Sequence, residues 1–131
     1  MKILVVDDIK ENQTVLKFMV KKCGEVELAD DGEIGLRMFV EAREKDKPFD
    51  VVFMDIRMPN MDGYQSTKEI RKWEEEHNIS DRTPIVIVSG ESNLETVSKN
   101  LDSLFDLYLS KPIDLPTLLD YMKSQGCGVL Q

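Results

Sequence analysis

Five polar residues each stand at or just past the end of a short apolar run. They are Asp7 and Asp8 after KILVV, Asp55 after Phe49 to Met54, Ser89 at the end of PIVIVS, and Lys111 after Leu107 to Leu109. Three carboxylates in one crevice repel each other and need either raised pKa values or a cation. No histidine or cysteine accompanies them, so the donors are oxygen. Such a set suits a hard ion, Mg²⁺ before Zn²⁺. A cation held by a few carboxylates keeps positions open for water and phosphate oxygens. Lys111 adds a positive charge suited to a phosphoryl oxygen, and Ser89 adds a hydroxyl donor. A carboxylate so flanked is equipped to attack phosphorus and form an aspartyl phosphate. The metal and Lys111 would stabilise the charge.

That chemistry requires the five residues to meet, and the rest of the chain says how. Lys2 to Asp8 reads as strand one. Ile9 to Cys23 reads as a helix, with Val15, Leu16, Met19, Val20 and Cys23 at helical spacing and Gly24 as its end. Val26 to Ala29 is a second strand. Asp31 caps a second helix whose charged end, Arg43 to Lys47, reads as solvated and which Pro48 stops. Phe49 to Met54, bounded by Asp55 and a turn at Asn60-Met61-Asp62-Gly63, reads as a strand buried on both faces. Tyr64 to Glu76 is a third helix with Tyr64, Thr67, Ile70 and Trp73 inward and Glu74 to Glu76 as a solvated end. Pro84 to Ser89 is strand four. Leu94, Val97, Leu101 and Leu104 mark a fourth helix, and Leu107 to Leu109 a fifth strand. Asp114 caps a last helix with Pro116 in its first turn and Leu115, Leu118, Leu119 and Met122 inward. The tail from Gln125 is expected to fray.

Strands and helices alternate five times. This predicts an α/β fold, a doubly wound parallel sheet with helices on both faces and right-handed crossovers. One ligand crevice in five strands predicts the flavodoxin-like order 2-1-3-4-5. The ends of strands one, three, four and five then lie side by side, and Asp7, Asp8, Asp55, Ser89 and Lys111 converge.

The bulk composition narrows the function. The chain has 131 residues, 41% hydrophobic and 32% charged, enough for one domain with a real core. A formal net charge of −8 disfavours nucleic acid and anionic lipid as direct partners. No apolar run approaches membrane-spanning length. Cys23 and Cys127 lack metal-ligand spacing and are expected as free thiols in a reducing compartment, which points to the cytoplasm.

The motifs ILVVDD (Ile3 to Asp8), FMDIRMPNMDGY (Phe53 to Tyr64), PIVIVSG (Pro84 to Gly90) and YLSKPI (Tyr108 to Ile113) together resemble a response-regulator receiver domain. MDIRMPNMDG with Asn12 resembles the receivers of hybrid histidine kinases and phosphorelays in particular. The resemblance implies that Asp55 is phosphorylated by a partner's phosphohistidine. It implies direct Mg²⁺ ligation by Asp8, Asp55 and the Arg57 carbonyl, with Asp7 acting through water and Mn²⁺ as an alternative ion. It further implies that Lys111 contacts the phosphoryl group, that the Lys111-Pro112 bond is cis, and that Ser89 and Tyr108 form a switch. Arg57 and Glu91 occupy the two positions that tune phosphoryl lifetime in the family. Opposite charges there would pair and hinder attacking water. Two departures bear on the output face: Gly90 where alanine is common, and LFDLY at Leu104 to Tyr108 where a glycine and an acid often precede the aromatic.

Each residue taken alone has an ordinary reading: Asp7-Asp8 as a helix N-terminus favouring negative charge, Ser89 as a turn cap, Lys111 as a surface lysine. The joint pattern outweighs these. His77 is expected to be exposed, and Trp73 to pack. A haloacid-dehalogenase-like phosphatase would carry a second acid where Arg57 stands. A flavodoxin-like cofactor binder would need a hydroxyl- and glycine-rich phosphate loop in place of Asp8-Ile9-Lys10-Glu11. The expected unit is a receiver over residues 1–124 with a short tail, 125–131. It is either a stand-alone regulator or a domain of a hybrid kinase, a monomer or weak dimer. Its expected partner is a histidine kinase or histidine phosphotransfer domain that docks on the first helix and the loops around Asp55.

Overall fold

A computed structural model describes residues 1–90 and 93–128. Five parallel strands form one sheet: β1 (Lys2–Val6), β2 (Glu25–Ala29), β3 (Val51–Asp55), β4 (Ile85–Ser89) and β5 (Leu107–Ser110). Their order is β2-β1-β3-β4-β5, as the alternation predicts. The helices between and after them are α1 (Lys10–Val20), α2 (Gly32–Glu44), α3 (Gly63–Glu76), α4 (Leu94–Leu101) and α5 (Leu115–Ser124). A short 3₁₀ turn, Lys21–Cys23, extends α1 to Gly24.

Alternate strand residues feed opposite cores, because successive side chains point to opposite faces. Ile3, Val5, Phe53 and Val88 pack with Leu16 and Val20 of α1 and Leu118 and Met122 of α5. Leu4, Val6, Met54 and Ile87 pack with Phe39 of α2, Ile70 of α3 and Val97 of α4. Both faces of β3 and β4 are buried throughout. Their near-continuous apolar sequence follows from that. The expected caps form: Asp31 accepts from the Ile34 amide and Asp114 from the Thr117 amide. Trp73 packs edge-on against Phe39, and the exposed His77 stacks on Trp73.

Several expectations are corrected. Cys23 and Cys127 are not free thiols but are joined as a disulfide, with Cα atoms 5.2 Å apart. The two lie 104 residues apart in sequence. They meet because α1 and α5 share one face of the sheet and end at the same edge. The tail from Gln125 therefore does not fray at once. The amides of Gln125, Gly126 and Cys127 bond back to α5, and Cys127 is buried.

The stripe on α1 is also rotated from the expected one. Gln13, Leu16 and Val20 are its buried residues, while Val15 and Phe18 are 52% and 68% exposed. Leu115, expected inward, is exposed as well, and so is Leu94 at the start of α4.

The charged helix ends are not all solvated. Glu74 is buried and accepts from Arg71 and from the Thr83 amide, and Arg43 reaches Glu74 at 3.9 Å. Arg71 further bonds the Leu104 and Thr83 carbonyls and Asp106. This network closes the sheet edge where β4 and β5 begin. A buried charge survives only when paired and hydrogen-bonded, and here the partners come from three separate segments.

Candidate functional site

The opposite edge, where the strands end, carries the candidate chemistry. β1 stops at Val6, and the next two residues project beyond the sheet. Asp7 is buried and Asp8 is exposed. Asp55 is the last residue of β3 and is 8% exposed. Oxygen atoms of Asp7, Asp8 and Asp55 all lie within 4.8 Å of one another. Lys111 enters from the loop after β5. Its Nζ is 3.0 Å from Asp7 Oδ2 and 3.4 Å from Asp55 Oδ1. The Lys111-Pro112 peptide is cis, and the Lys111 amide donates to the Ser89 carbonyl at 2.9 Å. Ser89, buried at the end of β4, thus sits beside the lysine backbone. Tyr108 lies half-buried on β5, against the core that α2, α3 and α4 cover. Arg57 is exposed on the loop after β3. Glu91 lies outside the described residues.

Burial and the neighbouring Asp7 carboxylate push the Asp55 pKa up to about 6, against the opposing pull of Lys111. One ammonium between two buried carboxylates leaves negative charge uncompensated. A small hard cation would supply what is missing, and the donor set fits one: carboxylate oxygens only, within sharing distance, partly open to solvent at Asp8.

Close backbone packing supports the arrangement. The Gly63 amide donates to the Ile56 carbonyl at 2.7 Å, folding the 56–63 loop tightly against the end of β3. A Cβ at Gly63 would lie 2.0 Å from the Asp55 carbonyl oxygen, so only glycine fits there. At Gly90 an added Cβ would meet Lys111 Cβ at 3.6 Å, an ordinary contact.

Sequence reasoning missed one member of this region. Gln13 sits 2% exposed on the sheet-facing side of α1. It donates to the Asp7 carbonyl at 2.6 Å and to Asp30 Oδ1 at 2.9 Å. Asp30 in turn pairs with Lys10 at 2.7 Å. The available signal was its place at the spacing of Leu16 and Val20, where an apolar residue would be ordinary.

An apolar cavity of about 480 Å³ opens beside the acids, lined among others by Val15, Met19, Phe53, Lys111 and Ile113. A groove between α1 and α5 adjoins it, sharing Val15 and Met19 and edged by Phe18, Lys21, Lys22 and Leu115.

A five-stranded parallel sheet in this order, with acids and a lysine gathered at its strand ends, defines a receiver-type α/β domain. The chain belongs to the response regulator receiver domain family, which it matches over residues 3–123. It is 42% identical over 125 residues to Histidine kinase CKI1 of Arabidopsis thaliana, covering 84% of this chain and 11% of that protein. The chain thus spans about a tenth of the length of the curated relatives it matches. Among solved structures it is similar to the receiver domain of that kinase complexed with Mg²⁺ and BeF₃⁻. The TM-score is 0.76 at 36% identity, covering 94% of this chain and 89% of the other. It is also similar to a chain in the co-crystal structure of the Saccharomyces cerevisiae histidine phosphotransfer protein Ypd1 and the receiver domain of Ssk1. That match has a TM-score of 0.81 at 25% identity and covers 100% and 92% of the two chains. The domain is therefore of the kind that serves two-component and phosphorelay signalling. Among the described residues no helix is long and apolar enough to cross a membrane.

Proposed function

We propose that this domain, residues 1–124, takes a phosphoryl group from a partner's phosphohistidine onto Asp55, and turns over no external metabolite. The observation that carries the reading is the convergence of three carboxylates and Lys111 at the strand ends. An Asp55 carboxylate oxygen attacks phosphorus. The phosphorus–nitrogen bond breaks, and the imidazole nitrogen leaves with the electron pair. Asp8, Asp55 and the Arg57 carbonyl would hold Mg²⁺ directly and Asp7 through water, with Mn²⁺ an alternative. The ion, when bound, neutralises phosphoryl charge and lets Asp55 work ionised. Lys111 keeps Asp7 as a counter-ion and turns towards the new phosphoryl oxygens. Ser89 donates its hydroxyl to them, and Tyr108 moves inward as Ser89 moves. Arg57 and Glu91 screen the phosphoryl group from water.

The proposed partner is a histidine phosphotransfer domain or a kinase dimerisation domain. Support comes from Val15, 52% exposed and lining the cavity at Asp55, and from Phe18, 68% exposed on the adjoining groove. A cluster of large apolar side chains left open at a functional edge marks a docking face. We assign the domain to the cytoplasm, as a monomer or weak dimer. A reducing cytoplasm would open the Cys23–Cys127 bond.

The test is intact mass at neutral pH after incubation with Mg²⁺ and acetyl phosphate. One phosphoryl adduct is expected on the wild type and none on Asp55→Asn or with chelator. If the wild type gains no adduct and also fails to bind beryllofluoride with Mg²⁺, the phosphoacceptor reading is wrong. The lifetime pair is tested by Arg57→Ala and Glu91→Ala, which should both hasten dephosphorylation.

A further inference from the structure

We infer that Gln13 is a positioning residue for the metal-binding acids, an inference that rests on the reading of Asp7, Asp8 and Asp55 as a cation site. The starting point is the backbone. β1 pairs with β2 as far as Val6 opposite Ala29, and the Asp7 amide still donates to the Ala29 carbonyl at 3.0 Å. The sheet ladder then ends. The Asp7 carbonyl lies at a buried residue and needs a donor from elsewhere. Gln13 supplies it at 2.6 Å from one turn into α1.

The same amide nitrogen donates to Asp30 Oδ1 at 2.9 Å. Asp30 follows β2 directly, and its carboxylate is also held by Lys10 at 2.7 Å. One side chain thus joins the ends of β1 and β2 to the helix between them. A glutamine nitrogen carries two hydrogens, so both strong bonds are satisfied at once.

The consequence falls on Asp8. A peptide is planar, so fixing the Asp7 carbonyl fixes the orientation of the whole Asp7-Asp8 link and the direction in which Asp8 leaves it. Asp8 itself is exposed. Asp7 is set by its own side chain: its Oδ1 accepts from the Ile9 amide at 2.9 Å, a bond that spans Asp8, and its Oδ2 accepts from Lys111. The two acids are therefore aimed by different means. Asp7 is aimed through its own carboxylate, and Asp8 through the two peptides that flank it, the first anchored by Gln13 and the second by the Asp7 carboxylate. Groups that orient ligating carboxylates typically change metal affinity by about 10–100-fold when lost.

The experiment compares Gln13→Met, which keeps length and burial but cannot donate, with Gln13→Lys, which keeps a donor at the end of a side chain one atom longer and adds a charge. Leu16→Ala serves as a control that loosens the same helix face without touching the acids. Mg²⁺ affinity of the full chain is measured by calorimetry, with folding checked by circular dichroism. Asp7 carbonyl ¹³C and Asp8 amide ¹⁵N shifts are recorded without metal. Gln13→Met should weaken Mg²⁺ binding about tenfold and move both shifts. Gln13→Lys should return both shifts towards wild type while its added charge lowers affinity by repulsion, and Leu16→Ala should leave affinity and shifts near wild type. Equal Mg²⁺ affinity in Gln13→Met and wild type overturns the inference, as does equal weakening in Leu16→Ala. A wild type that binds no Mg²⁺ overturns the cation-site reading instead. The metal-free shifts then decide the role of Gln13 in orienting the peptide: shifts that move in Gln13→Met and return in Gln13→Lys support it, and unmoved shifts overturn it.

Discussion

Asp55→Asn should make the metal-free protein more stable while removing the proposed phosphoacceptor. Asp55 is held ionised at neutral pH against burial and against Asp7, which raise its pKa from 3.8 to about 6. A carboxyl whose pKa is higher in the folded state destabilises that state once it is ionised. The penalty is absent below the ordinary carboxylate value, grows as pH rises, and is complete above about 6. A rise of this size corresponds to about 3 kcal/mol at about 1.4 kcal/mol per pH unit. Asparagine removes the charge and keeps an oxygen for Lys111. It gives up part of the ionic attraction at 3.4 Å, which lowers the expected gain. A net gain of about 1–3 kcal/mol at pH 8 follows, and for a domain of this length it raises Tm by roughly 4–12 °C. The assay is urea and thermal unfolding with chelator at pH 8 and pH 4.5. The difference between variant and wild type should be largest at pH 8 and mostly gone at pH 4.5. Saturating Mg²⁺ should stabilise the wild type more than the variant, because binding to the folded state alone adds stability. A variant no more stable than wild type at pH 8, or a gain that does not shrink in acid, would refute the account of charge repulsion at the site.

Three further expectations concern the frame around the site. Arg71→Met should cost about 3–5 kcal/mol, because it removes the nearest cation from buried Glu74, one of the donors to Asp106 and the side-chain donor to the Leu104 and Thr83 carbonyls; a shift below about 1 kcal/mol in urea unfolding would show the network to be dispensable. Reduction of Cys23–Cys127 should lower stability by about 2–4 kcal/mol, since the bond closes a loop of about a hundred residues. Cys127→Ser should show the same loss and be indifferent to reductant, and a reductant effect on that variant would assign the loss elsewhere. Gly63→Ala should destabilise by at least about 1–3 kcal/mol through the clash with the Asp55 carbonyl, whereas Gly90→Ala, with room for its methyl, should stay within about 1 kcal/mol of wild type or gain slightly. Equal thermal shifts for the two glycine variants would contradict the packing described at the end of β3.

Much of the architecture is written locally. Five apolar runs alternating with helical spacing leave few alternatives to a parallel sheet, and the crossover rule then orders the strands. Because β3 and β4 are central, their sequences are apolar almost without break. The residue that ends each run is therefore conspicuous, and Asp55 and Ser89 are visible before any coordinates. The same holds for Asp7 and Asp8 after β1 and Lys111 after β5. Caps such as Asp31 and Asp114 were equally legible, since a cap depends on residues only three positions away.

What the sequence by itself could not determine is the fate of polar residues whose partners lie far along the chain. Gln13, Arg71 and Glu74 look like surface residues until Asp7, Asp30, Leu104, Thr83 and Asp106 are brought to them. Their burial is set by those distant donors and acceptors, and helical periodicity carries no record of it. Helical spacing likewise leaves the rotation of α1 open. Gln13 takes a core-facing place, and Val15 and Phe18 are turned out to form the exposed face next to the site. Nor can spacing pair two cysteines 104 residues apart. Only the docking of α1 and α5 on one face of the sheet brings Cys23 to Cys127. Local periodicity determined the elements and the acids and lysine at the strand ends, and tertiary contact decided which polar groups are buried beside them and which apolar ones stay exposed.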